Sequence, residues 1–153
     1  MEEYFKVELS DSVTLALPLV DIEIIENFFS QKISSIPGIA SFWIGVVNQK
    51  GSLLWVLDTN LFFELDSSNT ISAQKFTAVV LNSCVEGKNR RVALVVKQLK
   101  GVFSVKNSHV EPIPTPLESQ WQSYCKGVIL QEEQCIYVLD TVAFFTSLRG
   151  DSN

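Results

Sequence analysis

From Tyr4 to Leu9 apolar and polar side chains alternate, with Phe5, Val7 and Leu9 on one face, the period of a half-buried strand. Val13 to Val20 is a β-branched and leucine run that predicts a second strand. Pro18, late in that run, places it at a sheet edge, where a missing N–H does little harm. Ile22 to Phe29 is apolar at irregular spacing and predicts a third strand, followed over Gln31 to Gly38 by a loop with serines and a proline. Ile44 to Asn48 and Leu53 to Leu57 flank Gln49-Lys50-Gly51-Ser52 and predict a hairpin. Asp58 stands where that hairpin ends and Asn60 to Leu65 begins, the position of a helix N-cap. Asp66 to Gln74 is serine-rich and polar, a candidate linker between halves. Phe76 to Cys84 and Arg91 to Val96 predict a second hairpin around Glu86-Gly87-Lys88-Asn89, and Gly101 to Val105 a further short strand. The three prolines of Glu111 to Pro116 exclude a central strand. A last hairpin, Gly127 to Leu130 and Cys135 to Leu139 across Gln131-Glu132-Glu133-Gln134, leads into Asp140 and a terminal helical turn.

This pattern is written twice. Residues 45–63 and 127–145 both contain Val-Leu-Asp-Thr followed two residues later by Phe-Phe, and Gly45 to Asp58 and Gly127 to Asp140 have the same length and begin Gly-Val. Ala16-Leu17 corresponds to Ala93-Leu94 and Ile36-Pro37 to Ile113-Pro114 at one common offset, with a five-residue insertion before Gly127. One supersecondary unit is used twice, and each copy, with about five short strands, is too small to support itself well. The expected architecture is mainly β: two small barrels packed against each other within one domain spanning residues 1–153.

With 46% hydrophobic and 19% charged residues among 153, the chain has material for a real core and is not a disordered segment. A formal net charge of −5, with no basic run longer than Arg90-Arg91, disfavours nucleic acid as a partner. Cys84, Cys125 and Cys135 are odd in number and have no CxxC spacing, and His109 is the single histidine, so neither a disulfide framework nor a metal site is indicated. No glycine-rich phosphate loop and no GxSxG elbow occurs, so no cofactor and no catalytic residue is indicated. The N-terminus lacks the basic and apolar regions of a signal peptide, and no apolar stretch is long enough to span a bilayer, which predicts a cytoplasmic protein. The repeated Asp58-Thr59 and Asp140-Thr141 raise an enzymatic alternative, a carboxylate dyad across a pseudo-twofold axis with acid-dependent peptidase activity. Asn60 and Val142 stand where the glycine of such a loop belongs, which favours a capping role for both aspartates. Most aromatic side chains are expected to fill the core, with Trp43 a candidate exposed anchor.

The stretch IPGIASFWIGVVNQKGSLLWVLDTNLFF resembles the signature of the CheW-like domain, and VALVVKQLKGV, VEPIP and KGVILQEEQCIYVLDTVAFF follow in that domain's order and spacing. The resemblance runs from about Tyr4 to Leu148. It implies two intertwined five-stranded SH3-like β-barrels with short helices. It also implies a non-catalytic adaptor that couples chemoreceptors to a CheA-type histidine kinase in a two-component pathway controlling motility. The receptor's helical hairpin is expected in the groove between the barrels, and one barrel is expected to pack on the kinase's own CheW-like domain. Carried over by position, the receptor-binding residues are Ile22, Gly45, Val47, Asn48, Lys50, Thr77 and Ala78. Lys50 stands where the family usually has arginine, which loses bidentate bonding, and Gln49 where an apolar residue is common. The alternative within the same class is a regulator that binds kinase or receptor without bridging them.

Overall fold

Alternation along the strands dictates which side chains each layer receives. The computed structural model describes residues 1–10, 13–65, 74–85 and 87–149. Its strands are β1 (Glu2–Ser10), β2 (Val13–Pro18), β3 (Ile22–Phe29), β4 (Trp43–Gln49), β5 (Ser52–Leu57), β6 (Lys75–Val85), β7 (Lys88–Val96), β8 (Gln98–Val105), β9 (Cys125–Gln131) and β10 (Gln134–Leu139). Two helices, α1 (Thr59–Phe62) and α2 (Thr141–Arg149), follow β5 and β10. The strands form two five-stranded sheets in the orders β8-β1-β2-β10-β9 and β3-β6-β7-β5-β4. Shifting each strand number by five, up for β1 and β2 and down for β8, β9 and β10, converts the first order into the second, so the sheets are copies related by the duplication.

The barrels do not coincide with the halves of the sequence. Each half keeps three strands together and gives its first two to the other barrel: β1 and β2 pair with β8 and β10, and β6 and β7 pair with β3 and β5. The joins are parallel and equivalent, Ala16 opposite Val138 and Ala93 opposite Val56. The chain leaving β3 returns to β4 through the Ser34–Val46 bridge, and the chain leaving β8 returns to β9 through Glu111–Val128, which closes each sheet on itself.

Side chains of alternate parity separate into three apolar layers. Val47, Leu54, Val56, Ala78, Val80, Ala93 and Val95 fill the interior of the β3–β7 barrel. Tyr4, Ala16, Val105, Ile129, Ile136 and Val138 fill the other. Residues one position along, including Leu15, Leu17, Val79, Leu81, Val92 and Leu94, point the other way into a larger shared core with Phe62, Phe63, Trp121, Phe144 and Phe145. β2 and β7 are thus apolar on both faces, and their unbroken runs are the sign of burial rather than of an edge.

Two sequence expectations change. β2 lies in the middle of its sheet, not at an edge, and Pro18 is tolerated because pairing with β10 covers only Thr14 to Ala16. Trp43, the candidate exposed anchor, is 6% exposed and belongs to the shared core. Residues 66–73 of the candidate linker, and Glu86 of the second hairpin turn, lie outside the described residues. Among the described residues no helix is long and apolar enough to cross a membrane.

Candidate functional site

The β4–β5 hairpin turns on two residues, Lys50 and Gly51, between the paired Gln49 and Ser52. Lys50 has φ 52° and Gly51 φ 83°, so both occupy the left-handed region that a two-residue primed turn needs. The Gly51 N–H donates to Asn48 Oδ1 at 3.0 Å. That bond pins the turn that carries the exposed Lys50. The equivalent turn of the second barrel, Glu132 and Glu133 with φ 49° and 63°, has the same backbone but two carboxylates.

Beneath Lys50 a polar network ties the hairpin to the barrel. Arg91 on β7 donates from Nε and Nη2 to the two carboxylate oxygens of Glu23 at 2.9 and 2.6 Å, and from Nη2 to Gln49 Oε1 at 2.5 Å. Asn82 Nδ2 donates to Glu23 as well, at 3.1 Å. The Arg91 guanidinium is the main reason the Glu23 carboxyl lies below its ordinary value, with Asn82 and the charge of Lys50 acting in the same direction. Gln49, polar where an apolar residue is common, is buried because Arg91 gives its side-chain oxygen a partner.

Beside the turn, between the edge strands β3 and β4, lies a groove of about 450 Å³ lined by Glu26, Asn27, Phe28, Phe29 and Lys32 on one side and Val47, Asn48, Gln49 and Lys50 on the other. Phe28 is buried while Phe29 is 45% exposed, as neighbours on a strand must differ. Lys75 Nζ lies 5.8 Å from the Phe29 ring centroid.

Of the residues expected from sequence, Val47, Asn48 and Lys50 line this groove. Thr77 adjoins it, donating to Asn27 Oδ1 at 2.8 Å. Ala78 sits inside the barrel, opposite Glu26 in the ladder. Ile22 starts β3 at its far end and packs against the shared core. Gly45 is buried with φ 152°, and a Cβ there would lie 2.2 Å from the Ser34 carbonyl oxygen. The β3 wall, Asn27 to Phe29, was missed because an apolar run at irregular spacing does not say which face is outside; the adjacent Phe28-Phe29 pair was the available signal.

The two aspartates serve as caps. Asp58 Oδ1 accepts from Leu61 N–H at 3.2 Å and Asp140 Oδ1 from Ala143 N–H at 3.1 Å. Their own N–H groups donate to Phe42 and Tyr124 carbonyls at 2.7 and 2.8 Å. Burial raises the Asp58 carboxyl above its ordinary value, against the pull of the backbone bonds from Leu61 and Asn60. Burial also pushes the Cys125 thiol up to about 12, aided by the nearby Asp140 charge. Cys84, Cys135 and His109 are exposed.

The family model described as the CheW-like domain matches residues 3–149. No curated protein matches the chain in sequence. Among solved structures it is similar to the scaffolding protein TtCheW from Thermoanaerobacter tengcongensis. That likeness has 16% identity and a TM-score of 0.76, covering 90% of this chain and 88% of that one.

Proposed function

The chain belongs to the CheW-like domain family, and on that premise we propose that it is a non-catalytic adaptor of a chemotaxis-type pathway, joining chemoreceptors to a CheA-type histidine kinase. The observation that carries the reading is the groove beside the β4–β5 hairpin, where Val47, Asn48 and Lys50 meet the β3 wall; it belongs to one barrel and is not the groove between the barrels that the resemblance implies. Its mode is helix-in-groove. The exposed Phe29 offers apolar surface to the stripe of a receptor helix, and Lys50, fixed in a left-handed turn, sets register by pairing with a carboxylate. Ile22, Gly45, Thr77 and Ala78 then act from behind, by shaping β3, β4 and β6. The adaptor works in the cytoplasm at receptor arrays, and transmits a bias between signalling states through differential contacts.

The test is a three-component pull-down with receptor signalling-tip fragments and kinases from the same genome. A bridge brings receptor down with kinase only when this protein is added. Binding to one partner without bridging would make the protein a stand-alone regulator instead. Lys50→Glu is expected to keep the fold and weaken receptor-fragment binding by about tenfold or more, lost mainly in the association rate. Undiminished binding would remove Lys50 from the site.

A further inference from the structure

β3 and β4 are the two ends of their sheet, and the groove beside Lys50 is the seam where those ends come together. Main chain holds one end of the seam: the Ser34 N–H donates to the Val46 carbonyl at 2.8 Å, and the Val46 N–H to the Ser34 carbonyl at 2.9 Å. At the other end a side chain from a third strand spans it. Val47 and Ala93 face the barrel interior, so Gln49 and Arg91, each two positions away on the same strand, face that way too. Arg91 of β7 there bonds both walls with one guanidinium. Nε and Nη2 hold the Glu23 carboxylate of β3 at 2.9 and 2.6 Å, and Nη2 also holds Gln49 Oε1 of β4. A guanidinium fixes its donors in one plane, so the two groups it bonds are held at a set separation. Gln49 is 7% exposed and is the residue from which the Lys50 turn springs. Leaving its side-chain oxygen unpaired there would be costly, so the turn and Arg91 are mechanically joined.

The duplicate shows which part of this is general. The second barrel has the same seam between β8 and β9, with a concavity of about 340 Å³ between Ser104 to Lys106 and Ile129 to Gln131. Gln131 stands at the position of Gln49 and also accepts from a cation: Lys6 Nζ donates to its Oε1 at 3.2 Å and lies 5.7 Å from the centroid of the Phe103 ring on β8. The position of Arg91 is taken by Thr14, which accepts from Gln134 Nε2 at 2.8 Å. Both seams are thus spanned by a cation that ends on the glutamine before the turn. The second uses an ammonium between a ring and an amide, and the first a guanidinium forked onto a carboxylate and an amide. The stiffer brace lies in the barrel that carries the Lys50 turn.

We propose that Arg91 is a positioning residue for receptor binding: by bracing Glu23 of β3 against Gln49 of β4 it sets the width of the groove and the placement of the Lys50 turn, and through them the affinity for the receptor helix. This role rests on the reading of the groove as the receptor site. A wall held in its bound geometry spares the ordering cost that a loose one incurs on binding.

The test compares Arg91→Met, Gln49→Leu, the double variant and Glu23→Gln with the parent full chain. It uses 15N–1H spectra of the free proteins and titration with a receptor signalling-tip fragment at pH 7, with Lys50→Glu as the reference for a lost contact. Arg91→Met and Gln49→Leu are each expected to move the amide signals of both walls, Glu26 to Phe29 and Val47 to Lys50, and to weaken binding by about tenfold. The double variant is expected to bind no more weakly than Arg91→Met, because the two residues act through one bond. Glu23→Gln keeps an acceptor but loses the charge, so about threefold is expected, and this variant decides the matter where Arg91→Met does not fold. Full binding by Arg91→Met, or by Glu23→Gln in its place, beside weakened binding by Lys50→Glu overturns the positioning role and leaves the receptor reading standing. Additive losses in the double variant make Arg91 a direct contact and overturn it as well. Full binding by Lys50→Glu removes the receptor reading, and this role with it.

Discussion

Gly45 shows how a single residue can be assigned to a surface and yet answer to packing. Its φ of 152° is strained for any other residue, and the Ser34 carbonyl occupies the place of its missing side chain. The second copy repeats the arrangement, since a Cβ on Gly127 would lie 2.7 Å from the Glu111 carbonyl oxygen and 2.6 Å from Val110 Cγ1. Both glycines sit where the bridging loop crosses its strand, so the repeated Gly-Val marks the closure of each barrel. Gly45→Ala is expected to cost roughly 2–4 kcal/mol, and Gly127→Ala, without the backbone strain, roughly 1–3. Denaturant midpoints at unchanged slope measure both. If Gly45→Ala instead leaves the midpoint in place and abolishes receptor-fragment binding, the residue is a contact and not a closure.

At the scale of elements, the corner formed by β5 and α1 is the one the repeated Val-Leu-Asp-Thr encodes, and its aspartate can be tested for capping apart from charge. Because burial raises the Asp58 carboxyl, the folded state holds that proton more tightly than the unfolded chain does. The stability this group contributes is therefore present in full below its ordinary value of 3.8 and is lost as pH rises through the raised folded value. Asp58→Asn keeps an acceptor for the Leu61 N–H and removes the ionisation. It is expected to be at least as stable as the parent at pH 7, whereas Asp58→Ala loses the cap and about 1 kcal/mol. Thermal melts at pH 4 and pH 7 separate the two effects. If Asp58→Asn melts well below the parent at pH 7, the carboxylate has a role beyond capping. The cap, the Lys50-Gly51 and Glu132-Glu133 turns and the duplication were legible because each rests on local chemistry: a short acceptor at a strand end, turn residues, equal spacings. The position of β2 was not, because the proline rule is local while an edge is a property of the assembled sheet. The β3 wall of the groove was hidden for a related reason, since β3 lies against β4 only after the barrel closes.

For the whole molecule, the exchange of β1 and β2 for β6 and β7 decides how it comes apart. Neither half of the sequence contains a complete sheet, and the largest apolar layer draws Leu15 and Leu17 from β2, Leu94 from β7 and Phe62, Phe144 and Phe145 from the helical corners. A duplicated fold whose copies were independent would unfold in two steps; one whose copies share their core should not. Leu17 and Leu94, equivalent residues in the two barrels, are both fully buried. Leu17→Ala and Leu94→Ala are each expected to cost about 2–5 kcal/mol and to lower one common transition. Far-ultraviolet circular dichroism, which reports the strands of both barrels, and tryptophan fluorescence, which here reports the shared core through Trp43, Trp55 and Trp121, should coincide throughout. Separated transitions in either variant would mean that the barrels fold independently. With coincident transitions, the groove beside Lys50 stands on one cooperative unit, so a loss of binding at pH 7 with an unchanged melt belongs to the site and not to the fold.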